Sequence, residues 1–507
     1  MYRGFSTIEI LLAITLTTST CVAVALVALG MPQALEHSRE RYIGLQKLDA
    51  VLNKNALRAR VDFSNVVSIA TTTDGSYEIS LQTFLFADEV TMRLTAYAHW
   101  KDVRGIPQDI SLSTIVTDPN NAGEGNGCGV LAGDWRNPVV QKTYSVTPGG
   151  LLSFLASADQ YPVSHVAKGR EVTALAIEAT TGATSPTLFL FKSTSIPYEL
   201  IPYGLGFDNA PVSRFGFSQI VISKNQVYGA NNFGSASLAT CSTSHNCDQL
   251  QIFDTSDTTA PSYLSSLQLA TMTPPYALSA GGVSAGAKSI AYKKGYVYLG
   301  LQKTVTGNEF NIIDVHDPQT PTWIGGARIG RTINNIVISG TRAYLATDDT
   351  ARELIIFDIQ DPHNPTLLGF WNAPGSIGFG YGTGVHVQNG MISFGRSYVS
   401  NAPELVILDG GSLPTITELG SKDLGTFLRP QSVHTLITRD FLTFILTDSI
   451  LQVWNTSEPK SISLHGEVAP FRGGSTATSF TCKSNVLYVG GYEKTGNVGQ
   501  LSIITDS

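Results

Sequence analysis

One carboxylate lies inside an otherwise apolar stretch at the amino-terminal end of the chain. Glu9 is the only charged side chain between Ile8 and Met31. About 20 apolar residues suffice for a helix to cross a bilayer, so the stretch predicts a transmembrane segment over residues 8–31. A carboxylate in hydrocarbon is costly and usually marks a function, so we expect Glu9 to pair with a cationic group. Arg3, the one charge before it, predicts a cytoplasmic amino terminus.

A second set of chemically capable side chains recurs in the carboxy-terminal part of the chain, in loops before repeated strands. It consists of Arg170, Arg214, Lys288, Arg331, Arg429, Arg472, His386 and His434. Basic side chains gathered around one opening attract anions such as an acidic glycan, a teichoic-type polymer or DNA phosphate. Each histidine directly follows a valine, and the two histidines are expected to share one register on neighbouring innermost strands. An alternative stays open, in which the basic residues only solvate a rim and the histidines are satisfied in the core.

A long amino-terminal helix is expected to position Glu9. Apolar side chains recur near helical spacing after the apolar stretch, at Leu45, Leu48, Leu52 and Leu57. A continuous helix from Phe5 to about Arg58 would be roughly 80 Å long.

The order of a short basic leader, Gly4-Phe5, Glu9 and an apolar helix resembles the prepilin signal of type IV pilins. This resemblance implies that a prepilin peptidase cleaves between Gly4 and Phe5 and that the new terminus is N-methylated. It also implies that Glu9 pairs with the Phe5 amine of a neighbouring pilin subunit. A plain membrane anchor is the alternative.

Residues 61–117 alternate apolar and polar side chains and predict a small antiparallel sheet. Thr91–Trp100 and Gln108–Thr117 are expected to pair, with Arg104-Gly105 at the turn. This segment resembles the last hairpin of minor pilins and pseudopilins at Trp100, Asp102, Gly105, Leu112, Thr114 and Ile115. The resemblance covers about residues 1–117 and favours the minor-pilin class, with a generic hairpin as the alternative.

Residues 135–507 contain a repeat, whose clearest unit is Asn334–Asn372. A short apolar strand recurs seven times, at 187–191, 250–254, 310–314, 354–358, 405–409, 451–455 and 501–505. The spacing of about 44 to 63 residues is near that of four-stranded propeller blades. Seven blades are therefore expected, with six as the alternative because the first repeat is degenerate.

The seventh repeat has no fourth strand of its own, because the printed chain stops at Ser507. Residues 136–144 are similar to the segment that begins at Asn364-Pro365. An outer strand from the other end of the domain is therefore expected to close the ring, which removes an exposed sheet edge. The units resemble the LVIVP-type repeat, in which Asp-Pro turns are structural. The aspartates at these turns, Asp314, Asp317, Asp358 and Asp361, are thus expected to cap them.

The five cysteines predict disulfides and no metal site. Cys241 and Cys247 lie in one polar loop, and Cys128 and Cys482 lie in elements expected to be neighbours in a closed ring. We therefore expect the bridges Cys241–Cys247 and Cys128–Cys482, which fit an oxidising exterior. Cys21 lies in the apolar stretch. No metal or other cofactor is expected, because the chain has no paired Cys-x-x-Cys and no histidines at ligand spacing.

The predicted fold is an α+β pilin N-terminus followed by an all-β seven-bladed β-propeller closed by an N-terminal outer strand. The pilin part would consist of the long helix and the small antiparallel sheet. The expected divisions are a leader at 1–4, a helix at 5–58, a β head at 59–117, a linker at 118–134 and the propeller at 135–507.

The expected function is a minor type IV pilin that displays the propeller for adhesion or ligand binding at the pilus tip, without enzymatic activity. A net charge of −7 argues against a general nucleic-acid binder. The expected location is the cytoplasmic (inner) membrane as a single-pass prepilin and then the cell exterior. Other pilins, prepilin peptidase and the pilus assembly machinery are the expected partners. The alternatives are a pseudopilin of a type II secretion or DNA-uptake system and a membrane-tethered propeller enzyme acting on polysaccharide.

Overall fold

The computed structural model is nearly all-β and divides into two compact units, Met1–Pro119 and Asn120–Ser507. The structure describes residues 38–59, 68–85, 91–102, 104–117, 134–146, 163–168, 172–177, 188–193, 200–206, 216–232, 248–257, 261–270, 272, 277–278, 285–374, 380–388, 390–400, 402–425, 431–439, 441–483, 486–493 and 498–507.

In the first unit, one helix packs on an antiparallel sheet. Helix α1 covers residues 38–59. The sheet contains, in spatial order, β1 (Ile69–Asp74), β2 (Tyr77–Leu85), β3 (Thr91–Lys101) and β4 (Pro107–Thr117). Leu48, Leu52 and Ala59 of α1 are buried against apolar side chains of the sheet. The predicted hairpin is present, with Thr91 opposite Thr117 and Lys101 opposite Pro107.

The predicted α+β pilin N-terminus with a long helix from Phe5 is wrong for the fold that the structure describes. Strands dominate the described residues, and their one α-helix is α1, about 33 Å long at 1.5 Å per residue. After residue 68, apolar and polar side chains alternate with a period of two residues, and this pattern forms strands and not helices. Among the described residues, no helix is both long and apolar enough to span a bilayer. The transmembrane prediction for 8–31 and the residues Gly4, Phe5 and Glu9 lie outside the described residues.

The second unit contains strand β5 (Pro138–Val146) and seven four-stranded sheets. Blade 1 contains β6 (Val163–Lys168), β7 (Val172–Ile177), β8 (Leu188–Ser193) and β9 (Leu200–Gly206). Blade 2 contains β10 (Phe217–Ser223), β11 (Gln226–Asn231), β12 (Leu250–Asp254) and β13 (Ser262–Leu267). Before blade 3 lies β14 (Ala277–Leu278), which pairs with β17 (Thr306–Gly307) inside that blade. Blade 3 contains β15 (Ala287–Lys293), β16 (Tyr296–Leu301), β18 (Phe310–Asp314) and β19 (Thr322–Ala327).

The remaining sheets repeat this order. Blade 4 contains β20 (Ile333–Ser339), β21 (Arg342–Thr347), β22 (Leu354–Asp358) and β23 (Thr366–Trp371). Blade 5 contains β24 (Gly382–Gln388), β25 (Met391–Arg396), β26 (Leu405–Asp409) and β27 (Thr417–Lys422). Blade 6 contains β28 (Thr435–Arg439), β29 (Leu442–Leu446), β30 (Leu451–Asn455), a 3₁₀ turn (Pro459–Ser461) and β31 (Ser463–Val468). Blade 7 contains β32 (Ser475–Lys483), β33 (Val486–Glu493), β34 (Val498–Asp506) and, as its outermost strand, β5.

The seven sheets form a closed ring around their first strands. The first strand of each blade contacts the first strand of the next, and β32 of blade 7 contacts β6 of blade 1. Strand β5 pairs with β34 from Pro138 opposite Asp506 to Val146 opposite Gly499. The segment that resembles Asn364-Pro365 in sequence therefore supplies the outer strand of the last blade.

The two faces of the ring are distinguished by strand direction. We call the face where first strands begin the mouth, and the other face the base. Because the pairing within each sheet is antiparallel, third strands also begin at the mouth and end at the base. At the base, carboxylates cap turns as the sequence predicts: Asp314 accepts a bond from His316 N, and Asp358 accepts one from Gln360 N, each at 2.9 Å.

A repeated joint holds the outer parts of neighbouring blades together. A β-bulge interrupts the pairing of third and fourth strands at the same place in all seven sheets. In blades 3 to 6 the residue that follows the extra residue of the bulge is glycine, and a backbone carbonyl of the next blade lies close to where its Cβ would be. The pairs are Gly325 with Pro362, Gly369 with Pro414, Gly420 with Pro459 and Gly466 with Trp135. The last pair shows that the closing segment makes the same joint as an ordinary base turn.

Cys482 is buried and disulfide-bonded. The other four cysteines, including its predicted partner Cys128, lie outside the described residues. The predicted Cys241–Cys247 bridge lies outside them as well. Cys482 packs in the same apolar cluster as Trp135, which is the residue that leads into β5.

The close packing at these glycines predicts that adding one methyl group there lowers the stability of the propeller. Gly369→Ala would place a Cβ 2.8 Å from the Pro414 carbonyl oxygen, which is backbone and has to move. We expect a loss of about 1–3 kcal/mol, seen as a fall of several degrees in the melting temperature of the propeller. Gly473→Ala is the matched control, because nothing lies within 4 Å of its Cβ position. Equal melting temperatures for the two variants would contradict the joint.

Candidate functional site

The innermost strands meet at the centre of the ring, where side chains of one blade bond to the backbone of the next. Gln219 Oε1 accepts a bond from Ile290 N at 3.1 Å, and Ser479 Oγ accepts one from Val166 N at 2.9 Å. In a third contact the side chain is the donor: Ser289 Oγ donates to the Ile333 carbonyl at 2.8 Å. Since an innermost strand has no further strand beside it, these bonds satisfy backbone groups that would otherwise remain open.

His386 belongs to this set of bonds. It lies in β24, is 5 % exposed, and accepts a bond from Thr438 N at 3.3 Å through Nδ1. Burial, together with a smaller effect of the positive charge of Arg439, lowers the pKa of His386 from its ordinary 6.5 to about 3. The imidazole is therefore neutral at physiological pH and acts as an acceptor between blades 5 and 6.

His434 lies at the mouth, immediately before β28. Its Nε2 is 2.6 Å from Asp448 Oδ1, and its side chain is partly exposed. The predicted shared register with His386 is wrong. Counted from the turns that join first and second strands, His386 is equivalent to Ile437, and His434 is equivalent to Thr383. The valine before each histidine suggested an alignment three residues away from the real one.

Three of the six predicted basic residues fall within the described ranges, and all three lie towards the mouth. Lys288 is half-buried in β15, whereas Arg331 and Arg472 are exposed just before β20 and β32. Arg331 Nε lies 3.8 Å from Asp349 Oδ1, and Arg352 bonds to the same carboxylate at 2.9 Å. Part of the positive charge at this side of the mouth is therefore compensated. The remaining members, Arg170, Arg214 and Arg429, lie outside the described residues.

Sequence reasoning missed a set of buried polar side chains that lead into the third strands at the mouth. They are Gln249, Glu309, Glu353 and Glu404, each directly before its third strand and each fully buried. Glu309 accepts bonds from Ile329 N and Gly330 N at 2.7 and 2.8 Å, and Glu404 accepts one from Leu424 N at 2.7 Å. These contacts hold the chain where it leaves a fourth strand. The signal was readable in the sequence as an acidic or amide residue directly before five of the seven recurring apolar strands.

Glu353 is used differently, since it pairs with an arginine of the next blade. Arg396, at the end of β25, bonds to both carboxylate oxygens of Glu353, and both side chains are fully buried. A third bond joins Arg396 Nη1 to the Pro403 carbonyl at 2.6 Å. Removing one member of such a pair would leave a buried charge without a partner, which typically costs about 3–5 kcal/mol.

Glu404 is a mouth carboxyl whose pKa lies well above its ordinary value. Burial raises the pKa of Glu404 to about 7, the bond from Leu424 N opposes the rise, and the nearby Asp423 adds to it. Among the described residues, no three His, Cys, Asp or Glu side chains lie close enough to hold a metal ion. In its described part, the mouth is a polar surface of mixed charge, with exposed Tyr381 beside these groups.

The buried His386 predicts a pH dependence of stability with a definite sign. Between about pH 6.5 and 3 the unfolded chain binds a proton at this residue and the folded chain does not. Stability therefore falls as pH drops through that window, by up to about 1.4 kcal/mol per pH unit from this group. His386→Gln keeps a hydrogen-bond acceptor and removes the titrating group. The free energy of unfolding of this variant, measured by urea denaturation at each pH, should therefore fall less steeply as the pH drops. His363→Gln, an exposed histidine at the base, should keep the wild-type slope; equal slopes for all three proteins would refute the assignment.

Comparison with known proteins supports the repeat assignment. The LVIVD repeat matches residues 285–326 and 330–372, which contain blades 3 and 4. A crystal structure of the N-terminal domain of Nup159 is similar at 9 % sequence identity and a TM-score of 0.40, over 75 % of this chain and 99 % of that one. Among curated proteins, none matches the sequence. The chain thus contains LVIVD repeats at residues 285–372 within its ring of sheets.

Proposed function

We propose that this chain is a minor type IV pilin that displays its β-propeller as a binding module. The observation that carries the proposal is the amino-terminal order of Arg3, Gly4-Phe5 and Glu9 before the apolar run. It rests on that sequence and not on the α+β fold corrected above. A domain as large as the propeller would crowd every subunit of a helical filament. We therefore expect few copies of this protein in each pilus, located at the tip.

The proposal assigns partners and locations to the two ends of the chain. Prepilin peptidase cuts between Gly4 and Phe5, and Glu9 pairs with the amine of a neighbouring pilin during assembly. The prepilin resides in the cytoplasmic membrane before assembly and lies outside the cell afterwards. A disulfide at Cys482 supports an oxidising location for the propeller.

The mouth of the propeller is the proposed binding surface, and an anionic surface polymer is its proposed ligand. Arg331 and Arg472 support this choice, because both are exposed at the mouth. Asp349 reduces the free charge at Arg331. The affinity assigned to this surface is therefore modest and sensitive to salt.

The assembly proposal predicts a defined amino terminus. In filaments sheared from cells that make this protein, mass spectrometry should find the chain beginning at Phe5, in far smaller amount than the major pilin. The Gly4→Ala variant serves as the comparison, since a peptidase that reads this glycine should leave its leader uncut. Absence of the chain from filaments, together with an intact Met1 in the membrane fraction, would overturn the proposal.

The ligand proposal predicts a loss of binding at the mouth alone. The double substitution Arg331→Ala and Arg472→Ala should weaken binding of heparin, used as a sulfated glycan, by roughly three- to tenfold at low salt. Lys460→Ala removes an exposed cation from the base and should leave the affinity unchanged. Binding that is insensitive to both salt and the mouth substitutions would remove the anionic ligand from the proposal.

A further inference from the structure

The buried carboxylates that lead into third strands at the mouth differ in how many donors surround them. Glu309, in blade 3, accepts four bonds. Thr304 N and Thr304 Oγ1 donate to its Oε1 at 3.0 and 2.7 Å, and Ile329 N and Gly330 N donate to its Oε2 at 2.7 and 2.8 Å. Several donors of this kind stabilise the ionised form of a carboxyl group in a buried place. Glu309 is therefore suited to carry its charge.

Glu404 occupies the equivalent place in blade 5 and has far fewer donors. Leu424 N donates to its Oε2 at 2.7 Å, whereas its Oε1 is buried and has no hydrogen-bond partner among the described residues. Glu353, the equivalent residue of blade 4, is compensated instead by the guanidinium of Arg396. An ionised carboxylate that is buried without either kind of compensation is costly. The surroundings of Glu404 thus favour its neutral form.

The residue that directly follows the fourth strand accounts for this difference. It is Arg328 in blade 3 and Asp423 in blade 5. Gly425 N, the equivalent of Gly330 N, donates to Asp423 Oδ1 at 3.0 Å and not to Glu404. The charge of Asp423 and its side-chain contact with Glu404 both raise the pKa of the buried carboxyl. Two carboxyl groups that share one site commonly hold one proton between them.

Blade 2 shows how a neutral side chain satisfies the same place. Gln249 accepts a bond from Leu269 N at 2.7 Å through Oε1, and its Nε2 donates to the Ala285 carbonyl at 3.1 Å. One acceptor atom and one donor atom are used, and Leu269 is equivalent to Leu424. A protonated Glu404 offers the same pair, with Oε2 as the acceptor and the O–H at Oε1 as the donor.

We propose that Glu404 and Asp423 share one proton and form an acid-stabilised latch at the mouth end of blade 5. With the proton in place, Glu404 Oε1 donates to the carboxylate of Asp423 while Oε2 accepts the bond from Leu424 N. The chain that leaves β27 is then held against the beginning of β26. Loss of the proton leaves two facing carboxylates, and residues 423–425 separate from Glu404. The latch is a property of the ring and does not depend on pilus assembly or on a ligand.

The direction of the pH effect follows from the raised pKa. Glu404 has a pKa of about 7 in the folded chain and the ordinary 4.5 when residues 423–425 are released and the carboxyl meets water. Between these values the closed form binds a proton that the open form has lost. The latch is therefore at full strength below about pH 4.5, weakens as the pH rises, and reaches its weakest state above about pH 7.

Other charged groups on the elements around Glu404 are engaged with partners of their own. They are Arg396 at the end of β25 with Glu353, His434 before β28 with Asp448, and Lys422 at the end of β27 over the ring of Trp454. Histidine side chains also change charge near neutral pH, so the test has to change the carboxyl pair itself.

Hydrogen exchange of the full chain, read by mass spectrometry on peptides that contain Leu424 and Gly425, tests the latch. After correction for the intrinsic exchange rate at each pH, protection of this segment should fall as the pH rises from 4.5 to about 7 and level off above that. The expected fall is up to about tenfold per pH unit. In Glu404→Gln, protection should not change over this range, because the amide offers the same acceptor and donor at every pH. Glu418→Gln, an exposed position on β27, should behave as the wild type.

A second variant keeps the test decisive if Glu404→Gln does not fold. Asp423→Arg gives blade 5 the residue found at this place in blade 3. It frees Gly425 N for Glu404 and replaces the facing negative charge by a positive one, so the fall in protection should disappear here as well. Constant protection in the wild type, or a fall of wild-type size in the Glu404 or Asp423 variant, would overturn the proposal. Because no filament and no ligand are used, neither result bears on the proposed function.

Discussion

The inner edges of the seven sheets impose the constraint on which the ring depends. Each first strand has one edge with no strand beside it, and its N–H and C=O groups need partners away from bulk water. Side chains of the neighbouring blade supply several of them, as Gln219 does for Ile290 and Ser479 does for Val166. The polar positions within otherwise apolar first strands are therefore structural. His386 is one of these residues, and its neutrality follows from the burial that this role requires.

The outer edges are constrained by close backbone packing. The bulge opposite each third strand turns one residue of the fourth strand towards the next blade, where the carbonyl of a base turn lies. Glycine at Gly325, Gly369, Gly420 and Gly466 leaves room for that carbonyl. Neighbouring blades are thus connected twice, by side-chain hydrogen bonds near the centre of the ring and by close backbone packing near its rim. These two connections together determine the angle between neighbouring sheets.

The strands could be predicted from the sequence where their signal is local. The apolar third strands and the hairpin of β3 and β4 follow from short-range alternation and turn residues, and the resemblance of 136–144 to a base turn placed the closing strand. The register of His386 could not be predicted this way, because it depends on the number of residues before a turn and not on the preceding valine. The spacing of Leu48 and Leu52 marks the face of the helix that packs on the sheet, whereas the predicted start of the helix at Phe5 lies outside the described residues. The buried carboxylates before the third strands could be seen in the sequence, but their role could not be predicted from it. That role depends on backbone N–H donors from a distant part of the chain, such as those of Ile329 and Gly330 for Glu309.

The closing segment connects these two constraints with the proposed function. Because Trp135 makes the same joint to Gly466 that Pro414 makes to Gly369, the ring gains its last interface from the part of the chain that leads to the first unit. The proposed binding surface at the mouth and the beginning of β5 at the base lie on opposite faces of the ring, because first strands begin at one face and β5 begins at the other. Blade 7 therefore depends on contacts between segments that are far apart in the chain, as in the bond between Gln141 and Thr505, 364 residues apart, whereas each of the other blades is built from strands that follow one another along the chain.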